Sequence, residues 1–270
     1  MTLFAILIGT LAAGIGSVWL AAALSFGVLA RYTQHMLSLA AGALLGTAFL
    51  HLLPEAFESA VAPQALFVTL LVGVVFFFLL DKAELWHHGH EHHHDVDAAG
   101  GEHHEHEPGH GHAHAHSHGP ISRGWTVLAG DSVHCFGDGI LIASAFVADL
   151  RLGLIAALAV LAHEVPHHMG DLAVLRVSSG TRQAALVKVT LAGAITALGG
   201  LVGYWLVDLL RAYITYFLVV ASSSFIYVAL ADLIPQLQKR LSLRETLAQI
   251  AWLLAGIALV TLASAVTHAH

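Results

Sequence analysis

Charge is scarce in this sequence: Asp, Glu, Lys and Arg together make up 11% of it, where a soluble domain carries roughly a quarter. Hydrophobic residues reach 57% and mean hydropathy is +0.75, which excludes a water-soluble globular protein and leaves an integral membrane protein whose partner is the lipid bilayer. A single cysteine, Cys135, excludes an intramolecular disulfide framework. The formal net charge of −7 favours cations, and no nucleic-acid partner is expected. A basic n-region is absent from Met1–Ile8, and the first apolar stretch runs on to Ala30, too long for a secretory signal, so it is expected to be a retained first span.

What the chain does have is long apolar runs. Runs of about 20 residues or more between charged punctuation predict eight membrane-crossing helices. They lie over about 3–30, 35–58, 63–85, 124–148, 152–175, 184–208, 212–237 and 245–267. The expected fold is an all-α integral membrane protein, a single transmembrane domain over 1–270. A histidine-rich loop, expected to be disordered, occupies 86–122 between spans 3 and 4. Pro63 and Pro120 stand near span starts, Gly180 falls in a loop, and Ser242 with Glu245 three residues on has the form of a capping box.

Basic residues set the orientation. Arg31, Lys82, Arg123, Arg176, Arg182, Lys188, Lys239, Arg240 and Arg244 belong to one side, and only Arg151 and Arg211 to the other. The richer side is expected to face the cytoplasm, together with the histidine-rich loop, leaving both termini extracytoplasmic. Span 2 ends His51-Leu52-Leu53-Pro54-Glu55 and span 7 ends Asp232-Leu233-Ile234-Pro235-Gln236, each with a polar residue three before a proline. Two such ends on oppositely directed spans fit an inverted repeat of helices 1–3 and 6–8 around a central helix pair 4–5.

Against this apolar background two spans carry metal-ligand residues: His134-Cys135-Phe136-Gly137-Asp138-Gly139 and His163-Glu164-Val165-Pro166-His167-His168-Met169-Gly170-Asp171. An ionisable group at membrane depth costs a few kcal/mol and persists mainly where it pairs, binds an ion or lines a path. A lone histidine there would be read as a hydrogen bond to a neighbouring helix; two clusters on adjacent spans read as a metal site. On a helix, His134 and Asp138 share a face, as do His163 and His167, with Asp171 one turn further. At 1.5 Å per residue His134 lies about 15 Å beyond Gly124, near the midplane of a hydrocarbon core about 30 Å thick, and His163 lies about as deep. Imidazole with carboxylate suits zinc and its first-row neighbours rather than magnesium or calcium. Cys135 points about 100° away from His134 and reads either as a soft ligand or as a small buried filler. Pro166 is expected to free the Ala162 carbonyl and disturb span 5, and Gly137, Gly139 and Gly170 to let backbones pack closely beside the ligands.

His134-x-Phe136-x-Asp138-Gly139, followed 24 residues later by His163-Glu164-x-Pro166-His167-x-Met169-Gly170-Asp171, resembles the paired signatures of the ZIP (Zrt/Irt-like) metal transporters. The histidine-rich branch of that family, which commonly reads HNFxDG and HExPHExGD, is the nearest likeness. It extends to Ala41-Gly42, the His51 to Glu55 stretch, the Phe225 to Pro235 stretch, eight spans and a His-rich loop after span 3.

The resemblance implies uptake of divalent metal ions into the cytoplasm, across a plasma membrane or a bacterial inner membrane. The metal is then a transported substrate, with no cofactor and no enzymatic activity expected. By position, His134, His163 and His167 would be ligands, Asp138 and Glu164 would supply carboxylates, and His167 would occupy the place that bridges two metals in some relatives. A homodimer is implied only in this way. Cys135 stands where the family has Asn, and His168 where it has Glu, which moves the expected preference towards zinc, with cadmium as a fortuitous substrate and iron and manganese behind. Thr196 stands where some relatives place a Glu. His168 and Asp171 would be inner ligands or partners of ligands. His51 and Glu55 would form the entrance and Asp232 the exit, with spans 1–3 and 6–8 shifting against the central pair.

Two other readings share these residues. His163-Glu164-Val165-Pro166-His167 is literally HExxH, the pattern of zinc metalloproteases, although Pro166 sits badly in the helix that motif needs. His134-x-x-x-Asp138 matches cation diffusion facilitators, which export zinc but usually have six spans and a soluble C-terminal domain. The loop's fourteen histidines between His87 and His118 are expected to bind metals weakly at the exit. Deleting residues 87–118 should leave the basic transport rate intact; loss of all uptake by a normally expressed deletion would make the loop essential rather than accessory.

Overall fold

The computed structural model describes residues 1–25, 33–88, 120–238 and 242–268, and among these the chain is helical with no strand. Eight helices are long and apolar enough to cross a membrane. Spans 1 to 4 are Thr2–Leu24, Thr33–Phe57, Pro63–Lys82 and Leu128–Ala148; spans 5 to 8 are Leu150–Arg176, Arg182–Leu209, Arg211–Leu237 and Leu243–Val266. Each overlaps the run expected from sequence. The histidine-rich loop lies outside the described residues from 89 to 119, as do Arg31, Lys239 and Arg240.

The span boundaries follow local chemistry. Prolines begin the helices Pro63–His88 and Pro120–Ala148, where a missing N–H costs no helical hydrogen bond. Asp149 breaks the chain between spans 4 and 5 in an extended conformation, and its carboxylate accepts from the N–H groups of Arg151 and Leu152. Gly180, at φ 72°, ends the helix of span 5, and Thr181 caps span 6 by accepting from the Ala184 N–H. Before span 8 the capping box forms in both directions. The Ser242 N–H donates to Glu245 Oε2 at 2.8 Å, and the Glu245 N–H reaches Ser242 Oγ at 3.4 Å.

The spans sort into two groups. Span 6 packs chiefly on span 4, span 4 also on span 5, and span 1 against all three; span 8 packs on span 2, and span 3 on span 7. Glycine contacts divide along the same line. A Cβ on Gly14 would lie 2.0 Å from the Gly193 carbonyl, one on Gly139 2.1 Å from that of Thr196, and one on Gly199 2.1 Å from that of Phe136. In the other group, a Cβ on Gly42 would lie 2.0 Å from the Leu253 carbonyl and one on Gly256 2.0 Å from that of Leu39. Backbones in such contact permit no side chain, which is how small residues join helices where lipid leaves no hydrophobic gain. Spans 1 and 6 therefore lie with the central pair, and spans 2, 3, 7 and 8 form the second body. That is a different division from spans 1–3 and 6–8 moving against 4–5.

The echo between spans 2 and 7 has a backbone counterpart. Each contains a π-turn just before its proline, Ala48–Leu52 and Val228–Leu233. The N–H of Leu53 bonds the Ala48 carbonyl, and that of Ile234 bonds the Ala229 carbonyl, so one residue separates each proline from a widened turn, of five residues in span 2 and six in span 7. Span 1 has a third π-turn, Ala12–Gly16. Span 5, in contrast, stays α-helical through Pro166. Pro166, which has no N–H to give the Ala162 carbonyl, therefore lies inside a continuous helix, in keeping with the tolerance of membrane bundles for proline.

Of the three glycines expected to pack closely beside the ligands, only Gly139 does; a Cβ on Gly137 or Gly170 would meet nothing within 4 Å. Gly139→Ala should therefore lower thermal stability by about 1–3 kcal/mol, as over-packing against backbone does. Gly137→Ala, in open space, should lose none, and thermal unfolding of the two detergent-solubilised variants checks the contrast.

Candidate metal centre

Spans 4 and 5 are joined by one non-helical residue, Asp149, and so run antiparallel. Residues spaced by three, four and seven along span 4 share a face, as do those spaced by four and eight along span 5. Where the two faces meet, the ligand-type atoms fall into three overlapping sets among the described residues.

The first set is His134, Asp138, His163 and Glu164. Nε2 of His163 lies 3.1 Å from Asp138 Oδ2 and 3.3 Å from Glu164 Oε1; Nε2 of His134 lies 3.3 Å from the same Oε1 and 3.4 Å from Nε2 of His163. Asp138 Oδ2 and Glu164 Oε1 are buried without a hydrogen-bond partner despite these approaches. Nδ1 of His163 faces the Ala159 carbonyl at 3.3 Å. A carbonyl can only accept, so Nδ1 carries a proton, which leaves Nε2 as the ring atom able to act as a ligand when a metal binds. One ligand-type atom from each of the four residues lies within 4.8 Å of the others, close enough to hold one cation between them.

The second set is Asp131, Cys135, Glu164 and His168, all buried. Nε2 of His168 lies 3.1 Å from Glu164 Oε2 and 3.6 Å from Asp131 Oδ1, and the Cys135 sulfur lies 3.7–3.9 Å from Asp131, Glu164 and His168. Ser17 of span 1 fixes the histidine. Its hydroxyl donates to the Gly14 carbonyl at 2.6 Å and so meets Nδ1 of His168, 2.9 Å away, as an acceptor. That arrangement keeps the proton on Nδ1 and leaves Nε2 to the set. The third set is Asp131, His167 and Asp171.

Glu164 thus gives one oxygen to each of the first two sets. The resemblance had put His167 at the bridging place, which an imidazole fills poorly; here the carboxylate between two sets is Glu164, and His167 lies with Asp171 at 3.2 Å. Of the expected residues, His134, Cys135, Asp138, His163, Glu164, His167, His168 and Asp171 all join one or another set. His51, Glu55 and Asp232 join none: the first two are half-buried at the end of span 2, and Asp232 accepts from Gln236 Nε2 at 2.8 Å. Thr196 is buried on span 6, where it provides no carboxylate.

Two residues escaped the sequence reading. Asp131 lies outside the quoted signature, yet it is four residues before Cys135 and seven before Asp138, a spacing that places it on the ligand face. Ser17 gives no such signal, because it lies on another span and its position depends on packing.

Eight apolar helices around buried His, Asp, Glu and Cys ligand sets define the class of polytopic membrane proteins that handle divalent metal ions. The sequence pattern of the family described as "ZIP Zinc transporter" matches residues 1–264, and the chain belongs to that family. Its members are transporters rather than enzymes.

The chain is 39% identical over 116 residues to the human "Zinc transporter ZIP4", covering 43% of this chain and 18% of that protein. It is 35% identical over 113 residues to the human "Zinc transporter ZIP10", covering 42% and 14%. It is 28% identical over 287 residues to the "Zinc transporter ZIP13" of Pongo abelii, covering 96% and 77%. The aligned parts therefore span less than a fifth of the two human relatives.

Removing the Ser17 hydroxyl frees the His168 ring to turn. Ser17→Ala should weaken metal binding by roughly 10- to 100-fold, as loss of a ligand's orienting partner does, without loss of folding. Equilibrium metal binding of purified variant and native chain measures the difference.

Proposed function

We propose that this protein carries zinc across the plasma membrane, or the inner membrane of a bacterium, into the cytoplasm. The observation that carries the reading is the Glu164 carboxylate, whose two oxygens face two different ligand sets at 3.1–3.3 Å. A shared carboxylate of this kind suits two adjacent ions, or one ion passed from set to set.

The donors favour zinc: three imidazoles and a thiol stand among the carboxylates of the two sets, a balance softer than iron or manganese prefers. Cadmium fits the same donors. The metal is substrate throughout. It sheds water as it enters between spans 4 and 5, and each lost water is replaced by a fixed nitrogen, oxygen or sulfur.

His51 and Glu55, at the outer end of span 2 in this orientation, collect cations at the entrance, and Asp232 of span 7 stands at the exit. Movement of the body of spans 1, 4, 5 and 6 against the body of spans 2, 3, 7 and 8 would open the ligand sets to one side at a time. The tight glycine contacts within each body support this division, since they lock helices inside a body. Both termini face outward, and the working unit is a homodimer.

Reconstitution in proteoliposomes tests the reading. Zinc flux should exceed flux of iron and manganese, cadmium should compete, and His134→Ala and Glu164→Gln should each lower zinc flux by at least about tenfold. Full flux in both variants would remove the ligand sets from the path. Export rather than import in vesicles of known orientation would reverse the direction.

A further inference from the structure

We infer that Asp131, His167 and Asp171 form a third divalent-cation site, which overlaps the second set at Asp131 and lies nearer the end of spans 4 and 5 that carries Arg176. The inference rests on the transport reading above and adds a place for the ion beyond the shared carboxylate.

Three ligand-type groups converge here from the two spans. His167 Nδ1 lies 3.2 Å from Asp171 Oδ2 and 3.7 Å from Asp131 Oδ1. Yet His167 Nδ1, Asp171 Oδ2 and Asp131 Oδ2 are all buried atoms with no hydrogen-bond partner. The Asp131 side chain is 2% exposed; its Oδ1 meets the Cys135 sulfur at 3.7 Å, and its Oδ2 is enclosed without a partner, which is costly for a carboxylate oxygen. An ion between the three groups satisfies all of them at once.

Its position continues the other two sets. Asp131 Oδ1 also faces His168 of the second set at 3.6 Å, and the His167 ring stacks on that of His134 in the first set at 5.3 Å. Asp171 is eight residues beyond His163 on span 5, about 12 Å along the helix. Exposure differs between the second and third sets. The second set is wholly enclosed, whereas in the third the His167 side chain is 36% exposed and that of Asp171 12%. Three protein ligands leave at least one coordination position to water. With one nitrogen and two carboxylates the set is harder than its neighbours, and an ion moving to it from thiol and imidazole begins to regain its hydration.

Full-length protein carrying Asp171→Cys or Asp171→Asn tests the site. Cysteine exchanges an oxygen donor for sulfur; asparagine can still accept a bond from His167 but lacks the charge. In detergent, cadmium added to Asp171→Cys should give a thiolate charge-transfer band in excess of that from Cys135 in the native chain. In proteoliposomes, Asp171→Asn should lower the maximal zinc flux by roughly tenfold while the KM for external zinc changes by less than about twofold.

A folded Asp171→Cys protein with no added band, or Asp171→Asn transporting at the native rate, would overturn the site and reduce Asp171 to a partner that orients His167. Glu164→Gln is run beside them. Full flux there would sink the transport reading itself, while the cadmium band, which needs no transport, would still report on the third site.

Discussion

The structure depends on one carboxylate that cannot be left alone. Glu164 is buried in an apolar bundle, where a bare charge costs several kcal/mol, and its oxygens lie against ligand-type groups although Oε1 has no hydrogen-bond partner. Oε1 meets His134 and His163; Oε2 meets His168 and the Cys135 thiol. To bring those groups to a single residue, span 4 must lie antiparallel to span 5 with its ligand face turned inward. The one-residue break at Asp149 joins them in that sense, and Gly139 and Gly199 let span 6 press on the back of span 4. Ser17 then reaches His168 from span 1, so the innermost histidine is oriented by a helix that gives no ligand of its own.

How much of this was legible in the sequence depends on the range of the interaction. Span positions follow from apolar length and terminal chemistry, both local, and Pro63, Pro120, Asp149 and the Ser242–Glu245 box act where the chain shows them. The ligand face of span 5 was also readable, because 163, 167 and 171 recur at helical spacing. Asp131 was readable by the same spacing but stands outside the motif that drew attention. Roles that depend on a second helix were not legible: Ser17 as an orienting group, Glu164 rather than His167 between two sets, and the open space beside Gly137 and Gly170.

The division into two bodies belongs to the same class. Glycine in a membrane helix says only that something approaches closely, not which helix. The pairs Gly14 with Gly193, Gly139 with Thr196 and Gly42 with Leu253 make the partition visible. Pro166 shows the converse. A proline that looks like a break on paper lies in an unbroken helix, while Pro54 and Pro235 each follow a widened turn.

Those widened turns change azimuth. A π-turn holds one residue more than the α-turn it replaces, so all that follows is rotated by about 100°, one residue's share of a 3.6-residue turn. In span 1 the extra residue comes just before Ser17. On a straight helix continuing from Thr2, the hydroxyl would look elsewhere; with the turn at Ala12–Gly16 it faces His168 at 2.9 Å. The aim of the innermost ligand is therefore set by a residue count in a neighbouring helix, and a wheel diagram of that helix would point Ser17 the wrong way.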